Sequence, residues 1–479
     1  MNRNDFVWIV FSALAVEAVF SMVFLNWQLA AGSVRAGAVC LILVATWAAC
    51  GTIWRWKKRW SSILCSLAKP LESLQTSDWI GFCFVVGTVL RLLWVWAYPA
   101  PQVSDHATYF QLARLSFESH HYGFPGGGLA YWPPGYPFFL AAWFFFFGVH
   151  AWIPLAANLV LFGGTLIIVE RLGTFIAGGI AGKISAVLLV GWPTLIMTTG
   201  LASKEMLVLF LLSASLLTFA IALDSTSSAG ILAMLILTGV LLGYASLTQP
   251  SVLTFPGVLL IYIWLRKRAY LRGFGYVLLT SIVLLSVILP WMLRNHRVLE
   301  AWVPVATNGG DVFYRANNPL ATGGYTLQGE QNLESYDEVT RNKVGFQLGK
   351  DWIRAHPAQF LILAIRKQVL FLGDDGQGAY ETLKRGLGIG GLKYVFWKGV
   401  CNAFWMALWL LILVAMATHW KDSLSNSQLL ATVVLSIIYL YAIHSVFESG
   451  AKYHEPLAVF IAVSAAQAFV PRSGTGESD

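Results

Sequence analysis

Runs of about 20 apolar residues follow one another along most of this 479-residue chain. A helix needs roughly 20 such residues to cross the hydrocarbon core of a bilayer, where its backbone must satisfy its own hydrogen bonds. The chain is 57% hydrophobic and 12% charged, which excludes an ordinary soluble domain. The sequence therefore predicts an all-α polytopic membrane protein. We expect about twelve transmembrane helices, at 6–28, 36–56, 79–98, 150–170, 174–194, 206–224, 229–246, 250–265, 272–292, 398–418, 426–446 and 455–471.

Basic residues concentrate in short loops, chiefly Lys57-Lys58-Arg59 and Arg266-Lys267-Arg268. Cytoplasmic loops collect Lys and Arg, so these loops are expected inside. The net charge of +8 therefore does not indicate a nucleic-acid partner, because no basic stripe is interleaved with aromatic residues. On this topology the polar segments that face outside are 99–149, 195–205, 247–249, 293–397 and 447–454.

The chain is expected to have four parts. Residues 1–78 would form two additional N-terminal spans with a cytoplasmic loop, and 79–292 a transmembrane core with the first outer loop, 99–149. Residues 293–397 would form an outer loop domain, and 398–479 the last spans with a short, disordered cytoplasmic tail from Pro471. The apolar stretches 138–148 and 360–372 are short or carry central charges, so we predict interfacial helices within the outer loops. The five cysteines show neither disulfide nor metal-ligand spacing.

Asp105 stands at the mouth of a predicted span, followed by His106 and Tyr109. If 105–118 is helical, Asp105 and Tyr109 share one face. A carboxylate near the low-dielectric boundary can have the basicity to take a proton from a hydroxyl nucleophile, although such a residue can equally be a helix cap. We predict Asp105 as a catalytic base. His106 is predicted to contact substrate or structure rather than a metal ion, because no zinc-ligand spacing is present.

Charged residues at other outer ends of spans are further candidates. Lys204 and Glu205 begin a span; charges at a membrane boundary are functional by default, with helix-dipole matching as the alternative. Arg294 and Arg297 leave a span on the outer side, where they suit a lipid-linked phosphate or simply snorkel. Lys452, with Tyr453, is a second cationic candidate before the last span.

The loop 307–325 is rich in Gly, Asn and aromatic residues. Such tight, amide-rich turns suit sugar hydroxyls but also any ordered loop. Asn308, Tyr314 and Asn317 are the candidates for substrate binding here, with Tyr131 from the first outer loop.

In this order the residues resemble the GT-C superfamily of membrane glycosyltransferases that use polyprenyl-phosphate sugars, in the branch related to protein O-mannosyltransferases and the lipid A aminoarabinose transferase. The resemblance covers roughly 79–470 and rests on the following pieces: Asp105 with Tyr109, Trp132-Pro133-Pro134-Gly135-Tyr136-Pro137, Ser203-Lys204-Glu205, Leu247-Thr248-Gln249-Pro250, Pro290-Trp291-Met292-Leu293-Arg294-Asn295, Asn308-Gly309-Gly310 with Asn317-Asn318-Pro319, His356-Pro357 and Lys452-Tyr453.

This resemblance implies an inverting transfer from a lipid-phosphate sugar to an acceptor hydroxyl at the outer face. It implies that Asp105 is the base, that Glu205 is a second acidic site residue, and that Arg294 and Lys452 contact the lipid phosphate. The sequence departs from the family pattern at His106, where a second acidic residue is frequent, and at Gln249 and Lys452, where arginine is usual.

The sequence thus predicts a glycosyltransferase of an inner (cytoplasmic) membrane, with its site facing the periplasm or exterior. Its partners would be the bilayer, a polyprenyl-phosphate-linked monosaccharide and a glycan, lipid or protein acceptor. No metal-binding residues are assigned; no cofactor has a motif of its own, and a divalent metal stays open. The alternative is a transporter or flippase for a lipid-linked sugar, but transporters usually show paired repeats and midplane sites, and no such repeat is evident.

Overall fold

The computed structural model describes residues 3–31, 36–124, 127–266, 270–326, 329, 331–419 and 427–470. Within these ranges the chain is built of α-helices and short 3₁₀ and π turns, and its only β feature is an isolated bridge between Phe124 and Gly127. The all-α prediction is confirmed. The predicted tail from Pro471 and most of the predicted cytoplasmic loops 266–271 and 419–425 lie outside the described residues.

The α-helices of the described residues follow one another along the chain with short connections. They are α1 (Arg3–Ala31), α2 (Ala36–Arg55), α3 (Lys57–Ala68), α4 (Thr76–Ala97), α5 (Asp105–Glu118), α6 (Gly135–Phe147), α7 (Ile153–Ala177), α8 (Gly179–Val190), α9 (Pro193–Met197), α10 (Lys204–Asp224), α11 (Ser228–Thr248), α12 (Pro256–Arg266), α13 (Tyr270–Leu299), α14 (Gly309–Ala316), α15 (Glu338–Ala355), α16 (Pro357–Leu372), α17 (Gln377–Ala379), α18 (Gly391–His419), α19 (Gln428–Val446) and α20 (Ala458–Ala466).

Among the described residues, eight helices are long and apolar enough to cross a membrane, and a bent pair of helices raises the number to nine. The eight are α1, α4, α7, α10, α11, α13, α18 and α19. The protein is therefore a multi-pass membrane protein, although the predicted count of twelve is not confirmed.

The remaining predicted spans are shorter or interrupted, for reasons visible in the sequence. The predicted span 174–194 is divided by Gly178, whose φ of +86° ends α7. It is divided again before Pro193, where the chain bends by 52°. Pro250 and Pro456 lie within 3₁₀ turns at the start of the predicted spans 250–265 and 455–471, because proline lacks the amide hydrogen that a helix interior uses. Within α2, the apolar part runs over Leu41–Arg55, which is shorter than the predicted span 36–56.

Close helix contacts hold the membrane part together. Gly239 and Gly243 of α11 face α13, and a Cβ atom at these positions would lie 2.6 Å from Val283 Cβ and 2.7 Å from Val287 Cβ, respectively. Small residues at such spacing let helices approach closely in a bilayer, where packing rather than hydrophobic burial drives association. The N-terminal helix α1 also joins this core, since the ring of Phe11 packs against Trp409 of α18 with centroids 6.1 Å apart.

The elements that carry the polar candidates lie between the long helices. Helix α5 begins at Asp105 and ends at Glu118, so the condition under which Asp105 and Tyr109 share one helix face is met. Helices α6 and α16 have 13 and 16 residues. Lys367, one of the central charges of the stretch 360–372, is fully buried and donates hydrogen bonds to Asn317 Oδ1 (3.0 Å) and Val446 O (2.9 Å). The division of the chain at residues 78, 292 and 397 stays a prediction.

Candidate active site

A cleft gathers polar side chains from four distant parts of the chain. It lies where the segment after α4, the start of α10, the segment after α16 and the turns before α20 come together. Its lining residues are Asp105, His106, Tyr109, Thr198, Ser203, Glu205, Gln377, Glu381, Lys452 and Glu455. Because four of these are carboxylic acids and the chain is poor in charge, the cleft is the strongest concentration of ionisable groups that we find in the described residues.

Asp105 is placed at the first position of α5 by the preceding turn. Ser104 has a φ of +53°, in the left-handed region that residues other than glycine seldom adopt. This turn directs the chain from the end of α4 into α5, so that the carboxylate lies in the first helical turn, where the helix dipole favours a negative charge. One Asp105 oxygen lies 3.3 Å from Lys452 Nζ.

The electrostatics of Asp105 differ from the expectation that burial would make it more basic. Burial does raise the pKa of the Asp105 carboxyl, but Lys452 and Lys204 lower it by more, and the net shift is downward. Burial lowers the pKa of Lys452, but Tyr453, Asp105, Glu205 and Glu448 together hold it well above its usual value. Asp105 and Lys452 therefore form an ion pair in which both partners are charged at neutral pH.

The segment before α10 brings Glu205 to the same cleft. Gln102, three residues before Asp105, donates from Nε2 to Gly200 O (2.9 Å) and accepts from Ala202 N (2.8 Å). This amide links the segment after α4 to the segment before α10, so it restricts the movement of the Asp105 and Glu205 carboxylates relative to each other. Ser203 Oγ donates to Glu205 Oε2 (2.8 Å), which orients the second carboxylate.

Lys452 is carried by a rigid turn. The backbone before it is tied by Ser449, whose Oγ donates to Lys367 O (2.7 Å). After it, His454 is fully buried and lies with Nε2 3.0 Å from Asp375 Oδ1 and Nδ1 2.6 Å from Phe371 O. Because both ring nitrogens face acceptors, the ring has one orientation, and the turn that presents Lys452 is held on both sides.

Glu381 is a cleft residue that the sequence reasoning missed. It lies in a π-helical turn, Tyr380–Gly386, a distortion that recurs at functional sites. Its carboxylate accepts from Gln377 Nε2 (2.8 Å) and Arg385 Nη1 (2.9 Å), and lies 3.8 Å from His106 Nε2. Nothing in its local sequence separates this glutamate from an ordinary loop residue, since only the π turn directs it inward.

Glu455 is a second residue to which no role was assigned. It is 2% exposed, and its Oε2 atom has no hydrogen-bond partner among the described residues. The available signal was its position three residues after Lys452 at the start of an apolar stretch, where a carboxylate is costly unless it has a function.

Seven predicted site residues lie at or beside the cleft. Asp105, His106, Tyr109, Glu205 and Lys452 line it, and Lys204 acts on Asp105 through its charge. Tyr453 lies next to Lys452 and donates to Glu448 Oε2 (3.0 Å). Burial raises the pKa of Tyr109, and the charges of Asp105 and Glu205 raise it further. Its hydroxyl group therefore stays protonated and can donate a hydrogen bond.

The remaining predicted residues do not line the cleft. Arg294 donates from Nη1 to Leu129 O (2.7 Å) and from Nη2 to Tyr122 O (2.7 Å), so it holds the first outer loop. Arg297 is exposed on α13.

Two of the three candidates of the loop 307–325, Tyr314 and Asn317, take part in internal contacts. Asn308 precedes α14 without a capping side-chain hydrogen bond, and the Tyr314 hydroxyl accepts from Gln331 N (3.1 Å). Asn317 donates to Phe313 O and Val446 O (both 2.9 Å). Tyr131 donates to Asp311 Oδ2, outside the cleft. In the described residues no group of three or more His, Cys, Asp or Glu side chains is arranged to hold a metal ion.

The arrangement pairs a charged base with a cation in a partly enclosed, carboxylate-rich space. Such a site can remove a proton from a hydroxyl at Asp105, stabilise an anion at Lys452 and face positive charge with Glu205 and Glu381.

Comparison with solved structures gives the fold. The archaeal oligosaccharyltransferase AglB from Archaeoglobus fulgidus, in complex with an inhibitory peptide and a dolichol-phosphate, superimposes with a TM-score of 0.51 at 11% identity. The alignment covers 82% of this chain and 49% of AglB, and the apo form of the same enzyme gives a TM-score of 0.51. The chain has a GT-C fold. At this identity the likeness is one of fold, and the chain spans about half the length of AglB.

A second GT-C structure, ArnT from Cupriavidus metallidurans bound to undecaprenyl phosphate, aligns over 83% of this chain and 78% of its own, with a TM-score of 0.41 and 14% identity. No protein-family model matches the sequence, and a search of curated proteins gives no match. The fold implied by the order of motifs is supported by the superposition on AglB.

Proposed function

We propose that this protein is a glycosyltransferase that moves a monosaccharide from a polyprenyl-phosphate carrier to an acceptor hydroxyl. The observation that carries the proposal is the ion pair of Asp105 and Lys452, 3.3 Å apart in a carboxylate-lined cleft of a GT-C fold. The AglB structure contains a dolichol-phosphate, a carrier of the class proposed here. Glycosyl transfer needs a base and an anion-stabilising group close together, and this pair supplies both.

Asp105 is proposed as the base. Its carboxylate would take the proton of the acceptor hydroxyl as that oxygen forms a bond to the anomeric carbon. The bond from the anomeric carbon to the phosphate oxygen breaks at the same time, its electron pair leaves with the lipid phosphate, and the configuration inverts. Asp105 is charged at neutral pH, so it is ready to accept a proton.

Lys452 is proposed to hold the phosphate of the donor. A preorganised cation beside the leaving group stabilises the charge that grows on it, and Lys452 keeps its proton because Asp105, Glu205 and other anionic neighbours outweigh its burial. A phosphate at Lys452 would compete with Asp105 for the ammonium group. Donor binding would then release Asp105 from the cation that lowers its pKa and make it a stronger base.

Glu205 and Glu381 are proposed to face the sugar ring. Glycosyl transfer passes through a transition state with positive charge on the ring, which nearby carboxylates stabilise. Ser203 orients Glu205, and Gln377 with Arg385 orients Glu381.

We place the cleft at the outer face of an inner membrane, because the most basic short loops then lie in the cytoplasm. A membrane-impermeant thiol reagent should label a Ser335→Cys variant in intact cells, since Ser335 is exposed in the segment between α14 and α15. Labelling only after the cells are opened, with the wild type as background control, would place this segment in the cytoplasm.

The direct test is transfer of labelled sugar from synthetic polyprenyl-phosphate monosaccharides by purified protein in lipid nanodiscs. We expect transfer by the wild type. In Asp105→Asn the rate of transfer should fall by about 10²–10⁴-fold, the usual contribution of a general base. The matched control is Asp351→Asn, which changes an exposed aspartate of α15 and should transfer at the wild-type rate.

Donor binding to the variant, measured by native mass spectrometry, separates loss of the base from loss of folding. If Asp105→Asn transfers sugar at the wild-type rate, Asp105 is not the base. If the wild type consumes no donor with any acceptor of a broad panel but moves lipid-linked sugar across proteoliposomes, the protein is a flippase.

A further inference from the structure

A second group of polar and aromatic side chains lies beside the cleft and is not used in the chemistry proposed above. We call it the arginine–tyrosine cluster; it consists of Tyr131, Asp311, Arg315, Tyr325, Arg341 and Glu448. At its centre, Asp311 Oδ2 accepts from Arg341 Nη2 (2.7 Å) and from the Tyr131 hydroxyl, with Arg315 Nη1 3.5 Å away. These residues come from the loop before α6, from α14, from the segment between α14 and α15, from α15 and from the segment after α19.

The charges of the cluster balance. Arg315 and Arg341 face the carboxylates of Asp311 and Glu448, with Arg315 Nη2 3.9 Å from Glu448 Oε2. Burial lowers the pKa of Arg315, but Glu448 and Asp311 raise it by more, so Arg315 stays charged. A group of two cations and two anions has little general attraction for a phosphate, in contrast to a single surface cation. The cluster therefore suits an uncharged polar ligand better than an anion.

Aromatic rings cover both guanidinium groups. Arg315 lies over the ring of Tyr325 with Cζ 5.2 Å from the centroid, and Arg341 lies over Tyr131 at 5.1 Å. Tyr325 is 56% exposed, so one face of the group is open to solvent. A pyranose has an apolar C–H face and an edge that carries hydroxyl groups. An aromatic ring can pack on the face, while guanidinium groups and carboxylates can form hydrogen bonds with the hydroxyl groups.

Several polar atoms of the cluster have unused bonding capacity. Within the described residues, Arg315 Nε, Arg341 Nε and Glu448 Oε1 have no hydrogen-bond partner. Buried polar atoms are nearly always paired, and exceptions call for an explanation such as a ligand. Two donors and one acceptor without partners match the donor and acceptor capacity of neighbouring sugar hydroxyls.

Glu448 and Tyr453 connect the cluster to the cleft. Glu448 accepts from the Tyr453 hydroxyl at 3.0 Å and faces Arg315, while Lys452, next to Tyr453, pairs with Asp105. We propose that the arginine–tyrosine cluster is a subsite for a saccharide unit of the acceptor, which rests on the proposed function. A glycan that packs on Tyr325 would run past Tyr453 towards Asp105.

Saturation-transfer NMR with methyl glycosides of glucose, mannose, galactose and N-acetylglucosamine tests this proposal. The protein is placed in lipid nanodiscs, because glycosidic detergents carry competing sugars. We expect saturation of the pyranose C–H protons of at least one glycoside, about tenfold weaker binding in Tyr325→Ala, and retention in Tyr325→Phe, because the ring is kept. Tyr336→Ala is the matched control, since Tyr336 is 45% exposed in the same outer segment and lies outside the cluster.

Absence of saturation for every glycoside, or equal loss in Tyr336→Ala, overturns the subsite. Displacement of the glycoside by inorganic phosphate at equal concentration also overturns it and assigns an anion site. The Asp105→Asn and Lys452→Gln variants should bind glycoside as the wild type does. Glycoside binding without donor consumption therefore refutes only the proposed reaction, whereas donor consumption without glycoside binding refutes only the subsite.

Discussion

Arg294 and Lys452 are two cations at the ends of apolar segments, and the sequence assigned both to the lipid phosphate. In the structure their partners differ. Arg294 is occupied by the carbonyl groups of Tyr122 and Leu129, and its guanidinium also lies 4.8 Å from the centroid of the Trp291 ring. Lys452 is paired with a carboxylate at the edge of a cleft. A cation whose donors are taken by backbone holds the fold, whereas one paired with a side chain can exchange that partner for a ligand.

The comparison explains why charge at a membrane boundary is an incomplete guide to function. Either arginine or lysine is expensive in such a place and needs a reason to be there. Arg294 is needed to hold the first outer loop, because the part of that loop before α6 has few backbone hydrogen bonds of its own. In Lys452 the partner is another candidate site residue. The identity of the partner separates the two roles, and the partner is set by tertiary structure.

Of the substitutions that test this comparison, Lys452→Gln should have the largest effect, because it keeps a polar side chain but removes the charge. We expect turnover to fall by about 10²–10³-fold, the usual consequence of removing one group that stabilises a leaving anion. Single-turnover transfer at saturating donor measures this loss. Lys343→Gln, an exposed lysine of α15, is the control; similar rates for both variants would remove Lys452 from the reaction.

A smaller effect, and one on stability, is expected for Arg294→Gln. The substitution leaves the Tyr122 and Leu129 carbonyls without their donor, at a cost of about 2–4 kcal/mol. The midpoint of thermal unfolding, followed by tryptophan fluorescence, should fall, while the rate of transfer by folded protein is retained. Arg297→Gln, at an exposed position of the same helix, should leave the midpoint unchanged. A selective loss of donor affinity in Arg294→Gln would return this arginine to the phosphate site.

The smallest expected effect concerns pH. Lys452 lowers the pKa of Asp105, and a base acts only in its deprotonated form, so activity should be lost as the pH falls through that pKa. Removing the cation raises the pKa of Asp105, and the acid limb of the residual activity of Lys452→Gln should therefore lie at higher pH than in the wild type. The pH dependence of kcat/KM measures this. An unchanged acid limb would mean that another group limits activity at low pH.

Much of the architecture could be predicted because it depends on local sequence. The apolar stretches gave the long helices, and the first helix of the outer loop runs from Asp105 to Glu118. The sequence predicts one span over 174–194, whereas the structure has two helices with a bend between them, because average hydropathy does not register a bend at Gly191 and Pro193. Local pattern finds helices but does not find where two short helices replace one.

The site was predictable where its residues stand at the ends of helices. Asp105, Glu205 and Lys452 follow or precede long apolar segments, so their shared end of the bundle could be inferred. Glu381 and Arg341 lie within polar stretches far from any span, and their neighbours are set by a π turn and by the packing of α14 on α15. No local signal separates them from solvated surface charges.

The amide of Gln102 fastens the start of α5 to the segment that leads directly into α10. Asp105 is thereby fixed in height relative to the first turn of a transmembrane helix, with no long flexible arm between them. If transfer occurs at Asp105, the protein cannot travel to its acceptor, and the acceptor must bring its hydroxyl to a constant level close to the bilayer surface. Reach, as well as chemical identity, would then decide which molecules in the envelope are modified.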